Sequence, residues 1–223
     1  MLEKLKTWVK KATEITPFDP SLFNDPLAET IEWIPLKKGG TNFHTHRMAA
    51  VDSHRMEFLP TIGVKIFAGI FIAAGLGFPL MFHYARFGED FTSGWGVLYI
   101  WLFGLAFVGV GSVFYYKMAK PRIFDKYDGM YWRGHKKPDL LYKLEDKTAK
   151  NATRLSDIHA IQLLREYVRS DKSSYYSYEL NLVLKNGHRI NVIDHGNKKK
   201  FLEDARQLSL FLDKPVWNAF EVI

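Results

Sequence analysis

The runs IFAGIFIAAGLGFPLMF, Ile66 to Phe82, and WGVLYIWLFGLAFVGVGSVFYY, Trp95 to Tyr116, decide how this 223-residue chain folds. Neither contains a charged residue. At about 1.5 Å of rise per residue the second run makes a helix roughly 33 Å long, and the first, counted from Ile62 with Lys65 one turn inside, roughly 31 Å. Each matches the hydrocarbon core of a bilayer. The short connector Tyr84 to Gly94 suits a helical hairpin in lipid, where every backbone polar group must be satisfied within its own helix. A pair of buried core helices is the competing reading, but runs of this length favour spans. The sequence predicts a transmembrane hairpin over 61–117, with spans at 62–83 and 95–116.

Lys65 reads as a snorkelling anchor, its stem along apolar surface and its ammonium among headgroups. Lys37, Lys38, Arg47 and Arg55 precede the first span, and Lys117, Lys120, Arg122 and Lys126 follow the second. The connector holds only Arg86, beside Glu89 and Asp90. That bias orients a short hairpin with both termini cytoplasmic. Tyr84, Trp95, Tyr99, Tyr115 and Tyr116 fall near the expected interfaces. Gly69, Ala73 and Gly77 recur every four residues, a small stripe that packs the two spans together or admits a partner helix or a second copy. Pro79 removes a backbone donor and predicts a bend.

The chain has no cysteine, which excludes disulfides, thiolate metal sites and cysteine nucleophiles. Its net charge of +7 is concentrated after the hairpin: Met118 to Ile223 carries 20 Lys and Arg against 14 Asp and Glu, whereas Met1 to Pro60 carries 8 of each. Anionic headgroups would attract such a domain. Nucleic acid is not the expected partner, because no stretch interleaves basic and aromatic residues as a stacking platform does. Met1 to Glu14 lacks a continuous apolar core, so no secretory leader is expected. Leu2, Leu5, Trp8, Val9, Ala12 and Ile15 instead recur at helical spacing, which makes 1–16 a basic amphipathic helix. It lies on the membrane or docks on the soluble domain.

Segment 17–60 reads as strand-rich, with Ile31 to Leu36, Asn42 to Val51 and Arg55 to Leu59 separated by turns. It is too short to make a sheet alone, so it is expected to share one with the domain at 118–223. Within that domain, Arg122 to Asp125 and Gly129 to Arg133 read as short strands. Tyr176 to Leu184 alternates with period two and leads through Asn186-Gly187 into His188 to Asp194. A two-residue loop would set Leu182 opposite Asn191 and mix the faces. A three-residue loop, Lys185-Asn186-Gly187 with Gly187 left-handed, sets Leu184 opposite His188, Leu182 opposite Ile190 and Leu180 opposite Val192, and is predicted. Lys198 to Leu212 presents Phe201, Ala205, Leu208 and Leu212 on one face after an Asn197 cap, giving a closing helix. Leu155 to Val168 fits either period, and propensity leans to helix.

The order of these elements, with Ile123-Phe124-Asp125, Gly129-Met130-Tyr131-Trp132, Tyr178 to Leu184 and Asp194-His195-Gly196, resembles bacterial membrane proteins with a cytoplasmic pleckstrin-homology-like domain. The resemblance covers roughly the last hundred residues. It implies a membrane α+β architecture: a β-rich, partly open barrel closed by the C-terminal helix, used for binding and assembly rather than chemistry. It also makes Leu155 to Val168 a strand and places the chain in the bacterial inner membrane.

Three groups invite chemistry. His44 and His46 share a face if they lie on a strand, and His54 would add a third imidazole to a metal site, the basis of an alternative reading as a metal-dependent membrane enzyme. Asp194-His195 resembles an acid–base pair, but neighbouring strand residues face opposite ways. Lys198, Lys199 and Lys200 occupy a first helical turn, as an anion or lipid contact or as a solvated charge run. No phosphate loop, dinucleotide fingerprint or nucleophile elbow is present. The expected function is therefore binding of a protein partner or an anionic lipid surface in an assembly or scaffold role, with no cofactor. An accessory or immunity subunit recognising a partner within the bilayer is the other alternative.

Overall fold

The computed structural model describes residues 18–85, 95–138, 151–169 and 174–220. The amphipathic helix expected at 1–16 and most of the connector between the apolar runs lie outside them. The molecule is mixed α+β, with two sheets and a pair of long apolar helices. The first sheet runs in the order β1 (His46–Ala50), β2 (Arg55–Pro60), β3 (Arg122–Asp125), β4 (Met130–Arg133), β5 (Ala152–Arg154), every pairing antiparallel. The second has the order β8 (Arg189–His195), β7 (Ser174–Leu184), β6 (Ile158–Arg169), β9 (Val216–Asn218), with β9 parallel to β6. They do not close into a barrel. A 3-10 turn at Leu155–Asp157 separates β5 from β6, and the opposite edges meet through a single bridge, His44 to His195.

Both apolar runs are helical, α2 over Ile62–Ala85 and α3 over Trp95–Met118, following a short α1 at Pro26–Thr30. The pair is inserted between two neighbouring strands: β2 leads into α2, and α3 returns into β3, with Arg55 facing Asp125 and Phe58 facing Arg122. The N-terminal strands thus share a sheet with the C-terminal ones. The helices touch at Gly75, Gly104 and Gly111. A Cβ on Gly75 would stand 2.5 Å from the Gly104 carbonyl oxygen, and one on Gly104 would stand 2.3 Å from that of Gly75. The stripe read from the sequence is not this interface. Gly69, Ala73 and Gly77 are exposed, and a Cβ on Gly69 or Gly77 meets nothing within 4 Å, because the seam follows Val64, Ala68, Gly75 and Pro79.

Helix α4 covers Lys198–Leu212, and the Asn197 side chain accepts from Lys200 N. Its stripe of Phe201, Ala205, Leu208 and Leu212 completes a core with Phe58, Phe124, Ile161, Leu163, Leu180, Leu182 and Ile193. The segment after Asp157 is a strand, β6, in which Ala160 to Leu164 are all buried. A strand covered on both faces loses its alternation, which is why its period read equally as a helix. The β7–β8 turn has Gly187 left-handed at φ 80° and pairs Leu182 with Ile190, as the three-residue loop requires. Leu180, however, faces Ile193 rather than Val192. Asn181 pairs with Asn191, so Val192 is an extra residue, a bulge that shifts the alternation and turns Ile193 and His195 inward.

The second sheet is covered on its other face by residues 18–42. Ile31 to Leu36, expected as a strand, is an irregular strap, and the strand expected from Asn42 begins only at His46. The strap's amides are taken by carboxylates. Glu179 accepts from Leu36 N (2.8 Å) and Lys37 N (2.9 Å), and Glu166 from Gly39 N (3.1 Å) and Gly40 N (3.2 Å). Gln162 donates to the Glu32 carbonyl and Arg189 to that of Ile34. Trp33 stacks on Phe23 and packs at a tilt against Trp217. A side chain at Gly40 would strike Ser177, so glycine allows this close approach.

Candidate functional site

The imidazoles expected to act together are separated. His46 sits where α3 ends and the sheet resumes. Its Nδ1 lies 3.0 Å from Thr45 Oγ1, which in turn donates to the Asp194 carbonyl (2.9 Å), and its Nε2 lies 3.1 Å from the Met118 carbonyl. The same Nε2 also faces Arg122 Nη1. Burial, and next the Arg122 charge, hold His46 down at about 2, so it is neutral at any physiological pH. Arg122 itself is buried, donating to the carbonyls of Val192 (2.8 Å) and Lys120 (3.0 Å). Burial and then Arg133 bring it to about 10. This group seals the joint between helices and sheets. His54 lies on the exposed β1–β2 turn against Ser53 and joins neither histidine.

His44 meets different partners. Its ring stands 4.1 Å from that of His195, and ligand atoms of His44, His195 and Asp204 lie within 4.8 Å of one another. His44 Nε2, His195 Nε2 and Asp204 Oδ2 are buried atoms without a protein hydrogen bond. Burial and then Glu203 push the Asp204 carboxyl up to about 6, while burial and then His44 hold His195 at about 4. The protons decide what this cluster can do. His195 Nδ1 accepts from Asn197 N (3.0 Å), so the neutral ring keeps its proton on Nε2. A metal would need the lone pair at that atom. With its proton there, His195 has no lone pair to offer a cation from the side that faces His44 and Asp204. Asp194 points the other way, beside Lys37 at 3.8 Å, so the Asp194-His195 pair does not form.

Lys198, Lys199 and Lys200 are exposed at the start of α4, where Lys200 pairs with Glu203 at 3.0 Å and Lys198 lies over the Phe220 ring. A basic cleft of about 370 Å³ lies instead at the root of the helices, between α2 and α3 on one side and the outer face of the first sheet on the other. Arg47, Arg55, Lys65, Tyr115 and His135 line it over a floor of Leu59, Pro60 and Ile123. Glu57 is its acidic member and is occupied by Arg55 at 2.6 Å. Period two along β2 places residues 55, 57 and 59 on that face, and pairing brings Arg47 beside Leu59. The sequence showed basic residues flanking the helices, but not that the strand pairing gathers Arg47 and Arg55 with Lys65.

Comparisons with protein-family models, with characterised proteins and with solved structures find no match to this chain.

Proposed function

We propose that this chain is an integral protein of the bacterial inner membrane, anchored by α2 and α3 with both termini cytoplasmic. Its pleckstrin-homology-like domain, held against the bilayer, acts by binding an anionic lipid surface or a protein partner in assembly rather than by catalysis. One observation carries the reading: two apolar helices leave the same sheet side by side and, among the described residues, are left largely uncovered. Their mean hydropathies are 1.9 and 2.2, and only 22% and 11% of their most apolar windows are buried. A soluble core helix would be mostly enclosed.

The closing helix α4 supports the likeness to the pleckstrin-homology class, and the strap and the parallel β9 depart from its simplest form. A binding role is supported by the chemistry of the converging groups, since His46 is locked neutral and His195 has its free nitrogen protonated. The chain's lack of cysteine makes the topology directly measurable. In spheroplasts, Ser93→Cys between the helices should react with an impermeant maleimide, and Ser53→Cys in the β1–β2 turn should react only after lysis. Extraction of the protein by alkaline carbonate, or the reverse labelling pattern, would overturn the anchoring.

A further inference from the structure

The cleft at the helix roots has a wall that, on the anchoring reading above, lies in the headgroup layer. Lys65 is one turn inside α2 and Tyr115 one turn from the end of α3, both in segments apolar enough to cross a bilayer. Arg47 reaches the same space from β1. Arg47 and Lys65 are exposed and have no acidic partner among the described residues, whereas Arg55 is held by Glu57 and Asp125 and lies over Trp132. Two uncommitted cations thus face a cavity of about 370 Å³ whose floor is apolar, within the ~300–1,000 Å³ of ordinary ligand sites.

We infer that this cleft is a site for one anionic phospholipid, with the phosphodiester between Arg47 and Lys65 and the glycerol end over Leu59, Pro60 and Ile123. Arginine and lysine suit a phosphate that offers several acceptor oxygens. Tyr115 supplies an amphipathic ring at the depth where such rings are favoured. A soluble phosphate would use only the two cations. A lipid also uses the apolar floor and the helix surface below Lys65, where the i+4 row of Gly69, Ala73 and Gly77 offers no bulky side chain to block a tail. The occupant is therefore a lipid rather than a free anion.

The inference rests on the anchoring reading, and its test separates the two. The full chain is placed in nanodiscs with equal phosphatidylglycerol and phosphatidylcholine, and the lipids it retains on release are counted by native mass spectrometry. One phosphatidylglycerol should be kept over phosphatidylcholine by about thirtyfold, the scale set by two headgroup-level cations. Arg47→Gln with Lys65→Gln should bring the ratio to parity, while Arg47→Lys with Lys65→Arg and the distant Lys199→Gln keep it. Millimolar glycerol 3-phosphate should not displace the lipid. Equal retention of both lipids, loss of selectivity in Lys199→Gln alone, or displacement by glycerol phosphate overturns the site and leaves the anchoring intact. A chain that never enters the nanodisc overturns both.

Discussion

At the scale of single residues, the buried ionisable groups respond to pH in opposite senses. His46 and His195 have folded values of about 2 and about 4, below the ordinary 6.5, so the folded protein holds fewer protons there than the unfolded chain. The stability they contribute is complete above 6.5 and is lost as pH falls, through about 4 for His195 and further for His46. Asp204 is raised from 3.8 to about 6, so its charge destabilises the fold above that value and the penalty fades as pH falls from 6 towards 3.8. Asp204→Asn should accordingly raise stability by about 1–2 kcal/mol at pH 7.5, with the gain vanishing near pH 4 in thermal melts. Equal gains at both values would show that Asp204 is not a buried carboxylate. Arg122→Gln has a different basis: it strips donors from the Val192 and Lys120 carbonyls. Denaturant titration should show a loss of about 2–4 kcal/mol. Part of this was legible, since the sequence singled out His195, though beside Asp194, and also, though with His46 and His54, His44. Its partners His195 and Asp204 arrive from β8 and α4, and only the bulge at Val192 turns His195 inward.

At the scale of elements, the legible pieces are those whose hydrogen bonds and apolar contacts are local. The two long helices, the three-residue β7–β8 loop and the capped helix α4 follow from patterns within about twenty residues. The strap does not, because its amides are satisfied by Glu179 and Glu166, which lie 126 to 143 residues along the chain. Glu179→Ala should make the Leu36 and Lys37 amides exchange with solvent about tenfold faster or more, as two hydrogen bonds of about 0.5–1.5 kcal/mol each disappear. Unchanged protection would mean that the strap is held by Trp33 and its aromatic neighbours alone. The helix seam makes its own prediction. Gly104→Leu forces backbone apart at the Gly75 crossing and should cost about 1–3 kcal/mol in detergent unfolding, whereas Gly69→Leu should change it by less than about 0.5 kcal/mol. The four-residue repeat marks an exposed row, while the contact follows a seven-residue spacing from Gly104 to Gly111.

At the scale of the whole molecule, the mixed α+β character was legible, but the division into two sheets was not, because it turns on a single 3-10 turn and one bridging pair. The insertion point suggests a direct experiment. β2 ends at Pro60 and its antiparallel neighbour β3 begins at Arg122, so replacing 61–119 by a tight turn of about four residues should give a water-soluble domain with both sheets intact. Circular dichroism retaining the β signal and a monomeric elution volume would bear this out. An aggregated product would show that the helices support the sheets as well as carrying them. The same arrangement sets an order on biosynthesis. β1 and β2 leave the ribosome first, yet the strand that completes their hydrogen bonding is made only after both long helices, some sixty residues later. At about 5–20 residues per second the nascent chain spends seconds with an open strand edge. Its early half therefore depends on prompt delivery of the helices or on a chaperone, and slowed translation across them should favour misassembly over loss of the mature fold.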